Sequence, residues 1–366
     1  MEREAILPLT SFLQRAGLAA PVIVVAACVQ AMPRPLMPHP PSTAVQTAPS
    51  ARATALVRPQ PPAQLLNAVQ ALGAGFAGDV GITVRDIDEG WSVAWAGDTL
   101  RPQQSVSKLW VAIAVMDAVD RGRMALSDTV TVRRSDLTVF HQPIRTLIGP
   151  NGYRTTVGDL LRGAMMRSDN TCNDVLLWRV GGPEAIRRML AKKGIVGVTF
   201  GPGERKLQAQ TAGLTWRPEW AGGWGFLQAR AAMSYAARTK ALDRYLAAPI
   251  DGASAKGVTL GLLLLAQGRL LSTRSTASLL MLMRSSKTGS LRLKSGLRPG
   301  WTLAHKTGTG QDLNDLSTGY NDVGLLVAPN GHRYAVAVMI ASTRAPIGTR
   351  MRLMGNVTRA IVAAAD

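Results

Sequence analysis

The stretch RPQQSVSKLW (101–110) places Ser105 three residues ahead of Lys108, where an almost wholly apolar run begins that is predicted to be helical over 105–120. A spacing of three puts both side chains on one helix face. The first helical turn also leaves backbone N–H groups unpaired, and together with the helix dipole they favour developing negative charge. A hydroxyl becomes an effective nucleophile only beside a base, and a lysine held in an apolar site near a second cation can give up its proton readily enough to serve. The same residues also read as an ordinary N-cap serine followed by a solvated lysine. No other Ser-x-x-Lys occurs in the 366 residues.

Outward from this stretch the hydrophobic period alternates between helix and strand. QLLNAVQALGAGF (64–76) reads as a helix ending in glycines, and DVGITVRDI (79–87) and WSVAWAG (91–97) form a hairpin across Asp88-Glu89-Gly90. Helical patterns follow at VGDLLRGAMMR (157–167), TCNDVLLWRV (171–180), PEAIRRMLAKKG (183–194) and GVTLGLLLLAQGRLL (257–271). Strand patterns return at WTLAHKT (301–307), DVGLLVA (322–328) and RYAVAVMIAS (333–342), the last two joined through Pro329-Asn330-Gly331. A terminal helix covers roughly 346–365. Two strands early and three late predict an α+β fold: an antiparallel five-stranded sheet built from both chain ends, flanked by the terminal helices, with an inserted all-helical subdomain over about 123–290.

The N-terminal 62 residues are of another kind. Residues 16–31 (AGLAAPVIVVAACVQA) are a short apolar stretch after Arg3 and Arg15, the layout of an export signal. Val25-Ala26-Ala27-Cys28 resembles a bacterial lipobox, which would lipidate Cys28 and anchor the chain to a membrane; cleavage near Ala31 would instead release it. Either way the chain is expected outside the cytoplasm, in the periplasm. Residues 32–62 are Pro-rich and suit a semi-rigid linker ahead of a domain over 63–366. Residues 1–62 hold five Arg and two Glu, so of the formal +19 the remainder carries +16. The basic residues form no long runs, which argues against a nucleic-acid partner. Four histidines without paired ligand spacing argue against a metal site, and no cofactor is expected.

Two further stretches bear on chemistry. Ser168-Asp169-Asn170 precedes a helix and reads alone as a cap. His305-Lys306-Thr307-Gly308-Thr309-Gly310 closes a predicted strand and reads alone as a glycine turn. With Ser105-x-x-Lys108, in this order and on these elements, they resemble the serine β-lactamase and penicillin-binding protein superfamily, and within it the class A β-lactamases, whose motif set this is. The AHKTGT form (304–309) is similar to an extended-spectrum branch of that class. The resemblance covers about 63–366 and implies a three-layer α/β/α architecture, no metal or cofactor, a monomer and a small β-lactam as the partner.

By that resemblance Ser105 is the acylated nucleophile, Lys108 its base or proton relay, and Ser168 the residue that passes a proton to the leaving nitrogen. Asn170 would bind the substrate's side-chain amide. Lys306, Thr307, Gly308 and Thr309 would bind its carboxylate end, with the N–H groups of Ser105 and Thr309 as the oxyanion hole. The glutamate that activates the deacylating water falls on Glu204, 36 residues past Ser168.

Three departures accompany it. Gln208 stands in place of the family's asparagine, keeping the amide with one more methylene. Arg205 replaces a proline, and Pro202 replaces an arginine that commonly braces the loop. Residues from 209 to about 257 form an insertion containing Trp216, Trp220 and Trp224, read either as packing or as a lid. The competing functions are a D-alanyl-D-alanine peptidase or esterase on the same scaffold, and a lactam- or wall-binding module with little turnover; Glu204 favours the hydrolase.

Overall fold

The computed structural model describes residues 59–365; the apolar segment with Cys28 and the Pro-rich tract up to residue 58 lie outside the described residues. In chain order the strands are β1 (Asp79–Asp86), β2 (Ser92–Trp95), β3 (Arg101–Pro102), β4 (Thr129–Val132), β5 (Tyr153–Thr156), β6 (Gly252–Ala253), β7 (Thr302–Gly308), β8 (Asp312–Leu313), β9 (Leu316–Val327) and β10 (Arg333–Thr343). The α-helices are α1 (Ala63–Ala74), α2 (Lys108–Asp120), α3 (Val157–Met166), α4 (Asn170–Arg179), α5 (Gly182–Lys192), α6 (Glu204–Thr211), α7 (Trp224–Ala232), α8 (Tyr235–Ala247), α9 (Ala255–Ala266), α10 (Thr273–Arg284) and α11 (Ile347–Ala365). Among the described residues no helix is long and apolar enough to cross a membrane.

The main sheet has the order β2-β1-β10-β9-β7, all antiparallel, so strands from both chain ends meet at its centre. Side chains alternate across a strand, and β10 shows the consequence. Its Val336, Val338 and Ile340 join Val80, Ile82 and Val84 of β1 in a core under Leu65 and Val69 of α1 and Val357 and Ile361 of α11. Its Ala335, Ala337 and Met339 face the other way, toward Leu109, Trp110 and Ile113 of α2 and Val258 and Leu262 of α9. Nine of the thirteen α2 positions are buried, so this is a central helix and needs no polar face.

Three expectations are corrected. The sheet has a sixth, two-residue strand, β8, paired with β9. The inserted subdomain is not all-helical: Thr129-Val130-Thr131-Val132 alternates exposed and buried β-branched residues and pairs with β5, while β3 pairs with β6. Strand β9 begins at Leu316, ahead of the apolar run at 322–328, because Ser317, Thr318 and Asn321 are buried in the ladder and conceal the strand in a polar pattern. Ile340 is fully buried in the central strand. Replacing it with alanine is expected to destabilise the domain by about 2–5 kcal/mol, read from the midpoint of urea unfolding at unchanged m-value.

Candidate active site

A tight turn delivers the serine. Residues Gln104–Ser107 form one 3-10 turn that runs directly into α2 at Lys108, so the predicted helix over 105–120 starts with a tighter turn. Gln104 sits in the left-handed region at φ 52°, a costly conformation for a side-chain-bearing residue that its surroundings hold in place. Its N–H donates to Asp251 Oδ2 (2.8 Å), and its Nε2 donates to Tyr245 Oη (2.6 Å). Ser105 is not a helix cap, and Lys108 is not solvated. The lysine is 1% exposed, and its Nζ donates to Ser105 Oγ at 2.9 Å and lies 3.4 Å from Glu204 Oε2.

Glu204 is the first residue of α6, and its N–H points at both oxygens of the Asp174 carboxylate (3.0 and 3.1 Å). Its Oε1 accepts from Gln208 Nε2 at 2.9 Å, one helical turn on. The added methylene of Gln208 is thus accommodated: the same Nε2 reaches Gln104 Oε1 (3.1 Å), and Gln311 Nε2 donates to Gln208 Oε1 (2.9 Å). Arg205 pins α6 to the segment that follows β4 through the carbonyls of Ser135 and Leu137 and lies 5.7 Å over the Trp216 ring.

The Ser-Asp-Asn triplet divides its labour. Asp169 is the cap of α4, accepting from Cys172 N–H (2.9 Å), and also takes Ile144 N–H (2.7 Å). Ser168, at φ 60°, turns its hydroxyl into the cleft, where Lys306 Nζ donates to it at 2.9 Å. Asn170 Nδ2 donates to Val139 O (2.9 Å) and the residue lines the cleft. Lys306 is fully buried, and burial, helped by the charges of Lys108 and Arg292, holds its amine well below the ordinary lysine value.

Opposite Ser105, strand β7 comes close because residue 308 is glycine: a Cβ there would lie 2.4 Å from Gln103 O. Thr307 Oγ1 is 2.7 Å from Thr288 Oγ1, and Thr309 Oγ1 accepts from Arg292 Nη2 at 2.7 Å. Ser105, Ser168, Asn170, Glu204, Gln208, Thr307 and Thr309 thereby line one cleft of about 590 Å³. Gly308 and the amines of Lys108 and Lys306 lie just beneath its surface.

Arg292 was not signalled by the sequence. It lies 3.8 Å over the Tyr320 ring and also donates to Gly308 O and Asn321 O, with no motif to mark it. Nor was the buried chain from Asp251 Oδ1 through Tyr245 Oη (2.8 Å) to Gln104, Gln208 and Glu204. In segment 209–257 the tryptophans split: Trp220 packs on Phe226 and Val139, Trp216 is partly buried beside it, and Trp224 is exposed.

The sequence pattern of the beta-lactamase enzyme family matches residues 64–365, so this chain belongs to that family, and specifically to its class A serine branch. It is similar to the extended-spectrum beta-lactamase PER-1 of Pseudomonas aeruginosa, 28% identical over 261 residues, 70% of this chain and 73% of that one. The beta-lactamase VEB-1 of Pseudomonas aeruginosa is 25% identical over 281 residues, 76% and 83% of the two chains. A crystal structure of a beta-lactamase from Chitinophaga pinensis DSM 2588 shares the fold, with a TM-score of 0.67 at 24% identity over 82% of this chain and 99% of that one.

Asp174 offers a test of the site's electrostatics. Burial, then the neighbouring Glu204 charge, pushes its carboxyl up to about 6. A raised carboxyl contributes stability that is present below its unfolded value near 4 and is lost as pH rises through 6. Asp174→Asn removes that dependence and keeps an acceptor for Glu204 N–H. The stability of the parent relative to the variant is therefore expected to fall by about 2–3 kcal/mol between pH 4 and pH 7.5, measured by urea unfolding at both ends.

Proposed function

We propose that this chain, a hydrolase of cyclic amides by its family, opens the β-lactam amide through an acyl-enzyme on Ser105 that Glu204 helps to hydrolyse. The observation that carries the reading is the position of the Lys108 amine, 2.9 Å from Ser105 Oγ and 3.4 Å from Glu204 Oε2 in one buried site. Lys108, relaying to Glu204, takes the Ser105 proton as Oγ attacks the lactam carbonyl. The N–H groups of Ser105 and Thr309 receive the oxyanion, where charge develops in the transition state. As the C–N bond breaks, the Ser168 hydroxyl gives its proton to the departing nitrogen and is resupplied from Lys306, whose amine donates to it. Once Glu204 has passed the relayed proton on to solvent it is again a carboxylate and, with the Gln208 amide orienting it, deprotonates a water that attacks the ester. The bond to Ser105 Oγ then breaks, and Oγ takes a proton back through Lys108.

Thr307, Thr309, Lys306 and Arg292 give the substrate carboxylate a cationic end of the cleft, and that carboxylate draws Lys306 back to its charged form. Asn170 holds the side-chain amide of the substrate, as the resemblance implies. A peptidase or single-turnover binding module on this scaffold has no use for a carboxylate beside the serine and lysine, which is why Glu204 favours the hydrolase over both. Export of a monomer, soluble or anchored through Cys28, would place the enzyme where lactams meet the cell.

Incubating the protein with a chromogenic cephalosporin while following intact mass tests the assignment. Ser105→Ala is expected to abolish both turnover and labelling. Glu204→Ala is expected to accumulate a stable adduct, with deacylation slowed at least about 100-fold; parent-like turnover in that variant would remove Glu204 from the role.

A further inference from the structure

The cleft has two ends. At Lys306 it is closed by Ser168, and at Gln311, further along the same chain, by Gln208 of α6. The cationic groups described so far, Lys306 and Arg292, lie at the first end. At the second end a cation enters from segment 209–257: Arg230 on α7 lines the same cleft as Ser105, beside Gly310, Gln311 and Asp312. Phe226, four residues earlier on α7 and fully buried, packs edge-on against Phe140 at the cleft mouth with ring centroids 5.6 Å apart. Residues four apart share a helix face, so this anchor sets where Arg230 points.

The guanidinium is left underused. Its Nη2 donates to Asp312 O (3.0 Å), while Nε is buried without a hydrogen-bond partner, and among the described residues no carboxylate forms an ion pair with it. The Asp312 carboxylate is engaged elsewhere, accepting from Ser317 Oγ at 2.5 Å. Arg238 of α8 reaches toward the same Asp312 carbonyl (3.5 Å), adding a second positive charge, while the Asp312 carboxylate offsets the Arg230 charge only through space and not as an ion pair. Burial and Arg238 push the Arg230 guanidinium below its ordinary value, yet arginine stays charged. A partly buried cation on the wall of a cleft, with no carboxylate ion-paired to it among the described residues, suits an anionic group of a ligand.

We infer that Arg230 is a specificity residue, favouring β-lactams whose acyl side chain carries its own carboxylate or a comparable anion. The inference rests on the proposed function for the orientation of substrate: with the ring carboxylate at Lys306 and Thr307, the acyl side chain extends past Ser105 toward Gln311 and Arg230. The substrate would then be a dianion, gripped at both ends.

The test compares benzylpenicillin with its α-carboxylated counterpart, which differs by one side-chain carboxylate. For the full chain, the ratio of kcat/KM values, carboxylated over parent, is expected to fall about ten-fold in Arg230→Ala and Arg230→Gln and less in Arg230→Lys, as loss of one charge-assisted hydrogen bond predicts. The parent's preference is also expected to shrink as ionic strength rises. A ratio that moves less than two-fold, or equal losses on both compounds, would overturn the inference. A second arm needs no turnover: calorimetric binding of both compounds to Ser105→Ala and to Ser105→Ala/Arg230→Ala, where the same ratio of dissociation constants is read. If the parent hydrolyses neither compound, the proposed function fails, and this binding ratio still decides the role of Arg230.

Discussion

Two lysine amines, those of Lys108 and Lys306, are held out of water within one cleft, and the rest of the site is arranged around that constraint. A buried ammonium is costly unless hydrogen-bonded and paired. Lys108 meets this need with Ser105 Oγ and the Glu204 carboxylate. Lys306 donates to Ser168 Oγ and to Thr307 O and gives up part of its basicity. The two hydroxyls that satisfy the amines are the two that the proposed chemistry uses. In the proposed mechanism the partners that stabilise the folded state are thus also the route by which protons reach and leave the reacting bond.

Segment 209–257 is integrated with the site. Tyr245 of α8 binds both Gln104 and Asp251, and Gln104 immediately precedes Ser105 in a left-handed conformation. Burial pushes Asp251 up to about 6 and Tyr245 well above the ordinary tyrosine value, so the pair sits as neutral donor and poorly solvated acceptor in the protein interior. A fully satisfied buried network of this kind rigidifies what it touches, and it touches the nucleophile's turn and, through Gln208, the Glu204 carboxylate. The same segment supplies Phe226 and Arg230 to the cleft mouth. One stretch of chain therefore positions the groups proposed for deacylation and lines the part of the cleft where the acyl side chain is proposed to lie.

Much of this was legible in the sequence where a short-range rule applies. Long apolar runs marked α2, α9 and β10, the two-residue alternation marked β1 and β2, and the spacing of Ser105 and Lys108 put them on one face. The ambiguity at Ser168-Asp169-Asn170 came from treating the triplet as one object. Asp169 caps the helix, while Ser168 and Asn170 are left for the cleft. What stayed hidden depends on contacts across long sequence separations. Gln104 and Tyr245 are 141 residues apart, Gln104 and Gln208 are 104 apart, and Arg292 finds its partners on β7 and β9, 16 and 29 residues away. Strand β9 starts in residues that are polar because the sheet buries them against partners, which a hydropathy pattern cannot register. The pairing of β4 with β5 joins two four-residue strands within a region otherwise dominated by helices, too short a pattern to stand out in the sequence.

The central claim is that a buried lysine amine activates Ser105. The most direct measurement is the rate of Ser105 acylation in Lys108→Ala, followed by intact mass under single-turnover conditions with a slowly hydrolysed lactam. The account predicts acylation slowed by about 10²–10⁴-fold in a protein whose thermal unfolding remains cooperative. Labelling of Ser105 at the parent's rate in that variant would contradict it.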